Sequence, residues 1–205
     1  MQSVEVKEEP VFSPLLRRYT LQEFWALPEP EDRCHYDLIG GFLFMVPPPA
    51  PPHGSIDSRL TMSLVGHLLN NNLKGEVHHP HEPIYTSTDA GATYLEPDMM
   101  YVSEELARQM GRKRTSADIV FEYASKSTAI YDRTTKAQTY MALGVRELWI
   151  IDSATRTIEV PHASSKEGKP AWEGWRYEQG DSAESRVLPG WNVSVDDLFA
   201  GLTAE

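Results

Sequence analysis

Residues 118–152, DIVFEYASKSTAIYDRTTKAQTYMALGVRELWIID, decide the predicted fold. Residues 118–124 form a compact apolar run of the kind found in a central strand, and residues 145–152 form a second one. The segment between them, residues 129–143, has helical periodicity and stops at Gly144. A strand, a helix and a second strand in this order predict a βαβ-like crossover.

The sequence before this unit predicts a hairpin and a long helix. Residues 36–39 and 42–46 are apolar runs separated by Gly40 and Gly41, a pair that favours a two-residue hairpin turn. A proline-rich connector, PPPAPP, follows at residues 47–52. Beyond it, apolar residues recur every four positions and mark one face of a long helix: Ile56, Leu60, Leu64 and Leu68.

The N-terminal residues 1–18 mix acids and prolines without periodicity, which predicts a tail. Thr20 and Glu23 then have the spacing of a capping box, so Thr20 is expected to cap a short helix that ends at Pro28. With 205 residues, 40% of them hydrophobic, the chain is expected to form one domain over residues 19–205.

Shorter elements are expected in the remaining segments. Short strands are predicted around residues 76–85 and 94–102, and a short helix is predicted from Glu104. The C-terminal third is expected to hold further short strands and a small helix near residues 195–202.

Composition limits the cellular setting. No apolar run approaches the roughly 18 residues that cross a bilayer, so a soluble protein is expected. Cys34 is the only cysteine, which excludes an intrachain disulfide and a thiolate metal cluster and suits a reducing cytoplasm.

The formal net charge of -11 opposes tight non-specific binding to nucleic-acid phosphates. A local basic stripe can still contact phosphate while the rest of the surface is acidic. The alternative is a solvated loop without a partner. The stripe consists of Arg108, Arg112, Lys113 and Arg114.

Two acids occupy otherwise apolar strand positions. Asp98 follows Pro97 inside a predicted strand, and Glu122 is flanked by Phe121 and Tyr123. A desolvated carboxylate needs a cation or hydrogen bonds, so the two acids indicate a hard divalent cation with oxygen ligands. The alternative is that each acid points outward on an alternating strand.

Lys136 lies between Asp132 and Tyr140 in the predicted helix, and the spacing of four places all three on one face. This lysine is a candidate catalytic group. The alternative is a surface Asp–Lys pair.

Four motifs in this order resemble the Uma2 family of restriction-endonuclease-like proteins, a branch of the PD-(D/E)XK superfamily. The similarity covers nearly all of residues 19–202, including the opening YTLQEFWALP and the closing LPGWNVSVDDLF. The motifs are HYDLIGGFL at 35–43, EPDMMYV at 96–102, VFEYASKST at 120–128 and DRTTKAQTYMALGVRELWIID at 132–152.

The resemblance implies an α/β (α+β mixed) fold, a restriction-endonuclease-like core whose mixed β-sheet is flanked by helices, with an N-terminal hairpin and C-terminal strands. It also implies a Mg²⁺-dependent endonuclease, with Mn²⁺ as a substitute, that hydrolyses phosphodiester bonds in DNA. Asp98 would be the acid of the PD element, Glu122 the next acid, and the Tyr123 carbonyl a further metal ligand. The superfamily's lysine is expected where Ala124 stands, and Lys136 would replace it. Lys136 would orient or deprotonate the attacking water, or supply charge to the transition state.

Asp37 departs from the family pattern. The family's first acid is a glutamate followed by an Asp-Gly-Glu run, whereas Asp37 is followed by Gly40, Gly41 and Phe42. Because aspartate is one methylene shorter than glutamate, Asp37 is not expected to bind the first metal ion directly. It is expected either to contact the residues that bind that ion or to bind a second metal ion.

Other residues are candidates for phosphate or water contacts. His53 precedes the long helix and could equally be a helix-start residue. Ser125 follows the second acid, and the alternative is a loop that caps the next helix through Ser127 or Thr128.

Two rival functions follow from the sequence. One is a nuclease fold that has lost catalysis and serves as a DNA-binding or dimerisation module, which the departures at Asp37 and Ala124 favour. The other is a zinc hydrolase built on His78, His79 and His81, although a strand-edge histidine cluster explains these residues more simply. Cleavage of a duplex would most simply need two active sites, so a homodimer is expected.

Overall fold

The computed structural model describes residues 17–30, 33–49, 51–125 and 127–202. The first half forms, in order, α1 (Leu21–Trp25), β1 (His35–Ile39), β2 (Phe42–Val46), α2 (His53–Asn70), β3 (Gly75–His78), β4 (Ile84–Thr88), β5 (Gly91–Leu95) and β6 (Met99–Ser103). The second half forms α3 (Glu104–Met110), β7 (Ile119–Ala124), α4 (Ala129–Tyr131), α5 (Ala137–Ala142), β8 (Glu147–Asp152), β9 (Thr157–Lys166), β10 (Lys169–Tyr177), β11 (Ser182–Glu184), β12 (Asn192–Ser194) and α6 (Val195–Phe199). A π-helical turn, Asp132–Lys136, joins α4 to α5. The predicted tail of residues 1–18 lies outside the described residues except for Arg17 and Arg18.

The predicted crossover is confirmed. β7 and β8 are parallel, with Glu122 opposite Ile150, and the helical segment connects them. They lie at the centre of a six-stranded sheet of order β10-β9-β8-β7-β6-β3, whose other pairs are antiparallel. Helices pack against both faces of this sheet, so the predicted mixed sheet flanked by helices is also confirmed.

Each face of the six-stranded sheet has its own hydrophobic core. β7 contributes Ile119 and Phe121 to the core that contains α2 and α6, and Val120 to the core that contains Tyr140 of α5. Burial on both faces explains why the sequence of this strand is almost continuously apolar. The predicted face of α2 is buried in the first core: Ile56, Leu60, Leu64 and Leu68.

The predicted hairpin belongs to a second, four-stranded antiparallel sheet of order β2-β1-β5-β4. Gly40 and Gly41 form its turn with φ of 59° and 88°, values that glycine adopts without strain. A Cβ atom at Gly91 would lie 2.4 Å from the Gly40 carbonyl group, so the close approach of these two turns requires glycine. Residues 96–98 carry the chain from this sheet into the six-stranded one.

Two predicted strands are each divided in two. Residues 76–85 contain β3 and the start of β4, which belong to different sheets, and residues 94–102 contain the end of β5 and most of β6. The second break comes at Pro97, which has no amide hydrogen to donate to a ladder. The prediction that Asp98 lies inside a strand is therefore wrong, because it directly precedes β6.

The C-terminal third differs from the predicted short strands. β9 and β10 are ten and nine residues long and pair as one antiparallel hairpin, whereas β11 and β12 are short. The predicted small helix is α6. Among the helices of the described residues, none combines the length and the apolar character that a membrane crossing needs.

Candidate active site

Two neighbouring strands bring Asp98 and Glu122 side by side. β6 and β7 are antiparallel with Met99 opposite Phe121, so one residue further along this register Asp98 lies opposite Glu122. Asp98 Oδ2 accepts a hydrogen bond of 2.7 Å from the Tyr123 amide. Asp98 is half-buried and Glu122 is buried against the core that contains α5, so the alternative of an outward-pointing Glu122 is wrong.

The π-helical turn places Lys136 against Glu122. Such turns add a residue to one helical turn and occur frequently at functional sites. Lys136 Nζ donates a hydrogen bond of 2.9 Å to Glu122 Oε2 and lies 3.8 Å from Asp132 Oδ1. The Tyr140 hydroxyl donates to Glu122 Oε1, which confirms the predicted common face of the helix. Because Lys136 is only 3% exposed, the alternative of a surface Asp–Lys pair is wrong.

The four-stranded sheet contributes Asp37 from β1. This carboxylate is fully buried, its Oδ2 lies 3.8 Å from Lys136 Nζ, and it accepts a hydrogen bond of 3.0 Å from the Tyr131 hydroxyl. Its Oδ1 lies 3.8 Å from His35 Nε2, which is too long for a hydrogen bond. Asp37 therefore joins the cluster through the lysine.

The carboxylates of this cluster are held in an environment that disfavours their charge. Burial raises the pKa of Glu122 well above its usual range, and the nearby Asp98 and Asp132 raise it further, although Lys136 opposes them. Burial likewise raises the pKa of Asp98 and of Asp132. The site thus contains more negative charge than its own residues compensate.

At Lys136, the neighbouring charges outweigh the effect of burial on the pKa. Burial alone would lower the pKa of its ammonium group, but the surrounding carboxylates, with Glu122 foremost, raise that pKa well above its usual range. These carboxylates therefore favour the charged form of the lysine. The expectation that it could deprotonate water needs a depressed pKa, which this arrangement does not provide.

A cleft beside these groups has a volume of about 50 Å³, more than the roughly 10–15 Å³ that one water needs. Three polar atoms of its lining are buried and have no hydrogen-bond partner within the described residues: both ring nitrogens of His53 and His35 Nε2. Orphaned buried atoms of this kind are commonly satisfied by a water or an ion. The cleft is lined by Asp98, Glu122, Tyr123 and Lys136, among others.

The available donors fit a hard divalent cation. In the part of the chain that the structure describes, no three His, Cys, Asp or Glu side chains form a ready metal cage. Mg²⁺ is usually held by one or two carboxylates together with substrate phosphates and waters, rather than by an all-protein cage. Asp98, Glu122 and the Tyr123 carbonyl match that smaller donor set, and the surplus negative charge favours a cation there.

His53 and Ser125 both line the cleft. The His53 ring packs edge-to-face on Tyr123, with ring centroids 6.0 Å apart. The Ser125 hydroxyl lies 2.9 Å from Ser127 Oγ, and Thr128 makes no side-chain cap for the following helix. The structure therefore does not support the alternative that the Thr128 side chain caps the next helix.

The basic stripe is not brought to this cleft. Arg108 pairs with Glu105 at 3.1 Å and Arg114 pairs with Glu82 at 2.8 Å, so both are engaged with acids of the same chain. The stripe comes after the far end of β6, Ser103, which is five residues from Asp98. At about 3.4 Å per residue, this end of the strand lies roughly 17 Å from Asp98. Arg112, Lys113 and Arg114 do not line the cleft that holds the acids.

The histidine cluster is dispersed among different partners. His78 lies 3.1 Å from Glu76, His79 lies 3.2 Å from Asp57, and His81 lies 3.3 Å from Glu96. These contacts support the simpler interpretation of a strand-edge cluster, and they give the zinc alternative no shared site among the described residues.

A hydrogen-bond network behind Tyr123 was not predicted from the sequence. Its hydroxyl donates a hydrogen bond of 2.9 Å to Asp57 Oδ1 on α2, and His79 Nδ1 lies 3.2 Å from the same oxygen. Tyr131, which hydrogen-bonds Asp37, was also missed. Tyr131 precedes Asp132 of the candidate motif. The sequence gives no signal that His79 contacts Asp57, because this contact joins α2 to the segment after β3.

Comparison with known proteins identifies the fold and the family. No curated protein matches the chain. The fold is similar to a crystal structure from Anabaena variabilis described as "a putative nuclease belonging to DUF820", with a TM-score of 0.67 and 19% sequence identity over 89% of this chain and 98% of that one. The family model described as "Putative restriction endonuclease" matches residues 21–196, which include all four motifs. The chain therefore belongs to the Uma2 family, as its motifs predict.

Proposed function

We propose that this protein is a divalent-cation-dependent endonuclease that hydrolyses phosphodiester bonds in DNA, with Mg²⁺ as its cation and Mn²⁺ as a substitute. One observation carries the proposal: the Lys136 ammonium lies 2.9 Å from Glu122, and both groups line one cleft with Asp98. Family membership and the nuclease-like fold support the same activity.

The Asp98 and Glu122 carboxylates and the Tyr123 carbonyl would hold the cation. When bound, a divalent cation stabilises the charge that develops on the phosphate and lowers the pKa of the attacking water. Asp98 is fixed by the Tyr123 amide, and Tyr123 is fixed through its hydroxyl by Asp57. This chain of hydrogen bonds orients two of the three donors before substrate arrives.

Lys136 acts in this proposal as a positive charge and not as a base. A lysine whose pKa is raised keeps its proton, so it attracts the scissile phosphate and offsets the charge of the transition state. Asp37 and Asp132 each lie 3.8 Å from its ammonium and hold it in place. Asp37 is thus assigned a positioning role, which the shorter aspartate can fill.

Phosphate contacts complete the proposal. His53 and Ser125 line the cleft and are assigned to the phosphate that is cleaved. Arg112, Lys113 and Arg114 lie beyond the far end of β6 and are assigned to phosphates remote from the scissile one. Hydrolysis of both strands of a duplex would need two such centres, which a homodimer would supply.

Cleavage assays test this function. DNA incubated with the full chain and Mg²⁺ should be hydrolysed, and EDTA should stop the reaction. Asp98→Asn, Glu122→Gln and Lys136→Met should each lower the rate by about 100-fold or more, since each removes an electrostatic contribution of the oxyanion-hole type. Glu173→Gln and Lys169→Met make the same chemical changes at exposed positions of β10 and should retain full activity. Full activity of the Lys136→Met variant would contradict the assigned role.

One observation favours the rival function, a non-catalytic module. Both oxygens of Glu122 accept hydrogen bonds from within the chain, one from Lys136 and one from Tyr140. Calorimetric titration with Mg²⁺ or Mn²⁺ separates the two functions. A nuclease should bind the cation in the wild type and lose that binding in Asp98→Asn, whereas a module should show no heat that depends on Asp98 or Glu122.

A further inference from the structure

A groove with aromatic walls opens beside the candidate active site. Its volume is about 670 Å³, within the roughly 300–1,000 Å³ that ligand clefts occupy. The groove is continuous with the acid cleft, because His35, Glu96 and Asp98 line both. An extended molecule bound in the groove would therefore reach the acids.

Helix α1 forms one wall of this groove and buries none of its five residues. Trp25 is 59% exposed and makes an edge-to-face contact with Tyr85, with ring centroids 6.0 Å apart. Phe24 contacts Tyr94 at a centroid distance of 4.7 Å. Phe24 and Trp25 thus line the groove without being buried in a core, which points to an external ligand.

The attachment of α1 makes this wall part of the folded structure. Thr20 and Glu23 form the predicted capping box, and the Tyr19 amide donates a hydrogen bond of 2.7 Å to the Gly41 carbonyl. The helix is therefore fixed to the four-stranded sheet, and its aromatic side chains are held in position before any ligand binds.

We propose that the groove binds an unpaired DNA strand, whose bases stack on Trp25 and the adjoining rings while its backbone leads to Asp98. This inference rests on the proposed nuclease function and names its substrate as single-stranded or frayed DNA. Bases inside a duplex are stacked on one another, so their faces cannot reach the rings of a groove. Unpaired bases expose those faces, and every base can stack on an aromatic ring regardless of sequence.

The charge of the protein agrees with a strand held by stacking. The chain has a net charge of -11, and the groove is lined by one arginine, Arg33, and by three acids, Glu29, Glu96 and Asp98. Within the groove, neutralisation of phosphates can therefore contribute little to affinity. Each neutralised phosphate of a single strand adds about 0.7 to the slope of log affinity against log salt. If stacking holds the strand, the slope of log affinity against log salt concentration should have a magnitude below about 2.

Binding of a fluorescein-labelled 12-nucleotide oligothymidylate to the full chain in EDTA tests the inference without catalysis. Stacking on one ring is worth on the order of 10-fold or more in affinity, so Trp25→Ala should weaken binding by that factor. Trp25→Phe keeps a ring and should bind nearly as well as the wild type. Trp175→Ala removes a tryptophan of comparable exposure, 66%, from β10 and outside the groove, and it should bind like the wild type. A blunt 12-base-pair duplex should bind about 10-fold more weakly than the single strand.

A second readout uses Cys34, the only cysteine of the chain, which lines the groove. Oligothymidylate should slow its modification by a thiol reagent several-fold in the wild type and much less in Trp25→Ala. Unchanged modification at saturating oligothymidylate would overturn the assignment of the groove.

Other outcomes distinguish the two proposals. Equal affinities of Trp25→Ala and wild type, or equal affinities for single strand and blunt duplex, would overturn the groove inference. Mg²⁺-dependent cleavage of a plasmid by the same protein would then leave the nuclease function standing. Conversely, binding that depends on Trp25 without cleavage of any DNA would support the groove and contradict the nuclease function.

Discussion

At the scale of single residues, Glu122 and Glu147 show why a buried acid is not by itself a site. Both lie in central strands and both are buried. Glu147 accepts hydrogen bonds from the Trp149 indole, the Ser185 hydroxyl and two backbone amides, so the fold satisfies it completely. Glu122 depends on Lys136 and Tyr140 instead. The strand pattern alone does not separate the two acids, because the partners that distinguish them come from other elements, the helical segment for Glu122 and residues 185–187 for Glu147.

Lys136→Met should destabilise the protein. The substitution leaves buried carboxylates without their cation, and removal of one partner from a buried ion pair costs about 3–5 kcal/mol. Urea unfolding of the wild type and the variant measures the difference. The double variant Lys136→Met/Glu122→Gln should recover part of the loss, since it also removes the uncompensated charge. A loss of less than about 1 kcal/mol would show that the cluster does not need this lysine.

The raised pKa of Glu122 predicts how stability changes with pH. A carboxyl group whose pKa is raised by folding contributes stability below its unfolded pKa of about 4.3, and that contribution is lost as the pH rises toward the folded pKa. Glu122→Gln imitates the protonated group and removes this dependence. The variant should therefore gain stability relative to the wild type as the pH rises from 5 to 8, as measured by urea unfolding at each pH without metal. In the variant, Lys136 keeps three carboxylate neighbours that also raise its pKa, Asp37, Asp132 and Asp98. A constant difference across this range would contradict the prediction.

At the scale of secondary structure, elements with a regular hydrophobic period or a glycine turn were predictable from the sequence. Irregularities within an element, such as a π-helical turn or a break in a strand, were not. The face of α2, the hairpin at Gly40 and Gly41, and the crossover from β7 to β8 follow from local patterns that the structure confirms. The π-helical turn was missed because its residues have ordinary helical propensity. The division at Pro97 was missed because the flanking apolar runs hide the change from one sheet to the other.

Gly91 and Gly66 give a matched pair of glycine tests. Gly91 has φ of 121°, and its Cβ would lie 2.4 Å from the Gly40 carbonyl, so Gly91→Ala should destabilise the fold by about 2 kcal/mol or more. Gly66 lies within α2 with no atom within 4 Å of its Cβ position. Gly66→Ala should stabilise the protein by about 0.5–1 kcal/mol, because alanine favours the helix. Thermal unfolding of both variants checks the signs, and a neutral Gly91→Ala would show that the two turns can separate.

At the scale of the whole molecule, the candidate site exists because two sheets and one helix meet. Asp37 comes from the four-stranded sheet, Glu122 from the six-stranded sheet, and Asp98 from the segment that joins them. Motif resemblance named these three residues and Lys136 as candidates, and the structure brings them together. It did not predict that Asp37 contacts the lysine, since that contact of 3.8 Å depends on how the two sheets pack.

The central claim is that Asp98 and Glu122 hold a divalent cation beside Lys136. A crystal of the full chain grown with Mn²⁺ tests it most directly, because the anomalous signal of manganese locates the ion without assumptions. We predict an anomalous peak within coordination distance of both carboxylates and the Tyr123 carbonyl, with the Lys136 ammonium adjacent, and no such peak in Asp98→Asn. Manganese bound elsewhere, or an intact Lys136–Glu122 pair with no ion beside it at saturating Mn²⁺, would contradict the account.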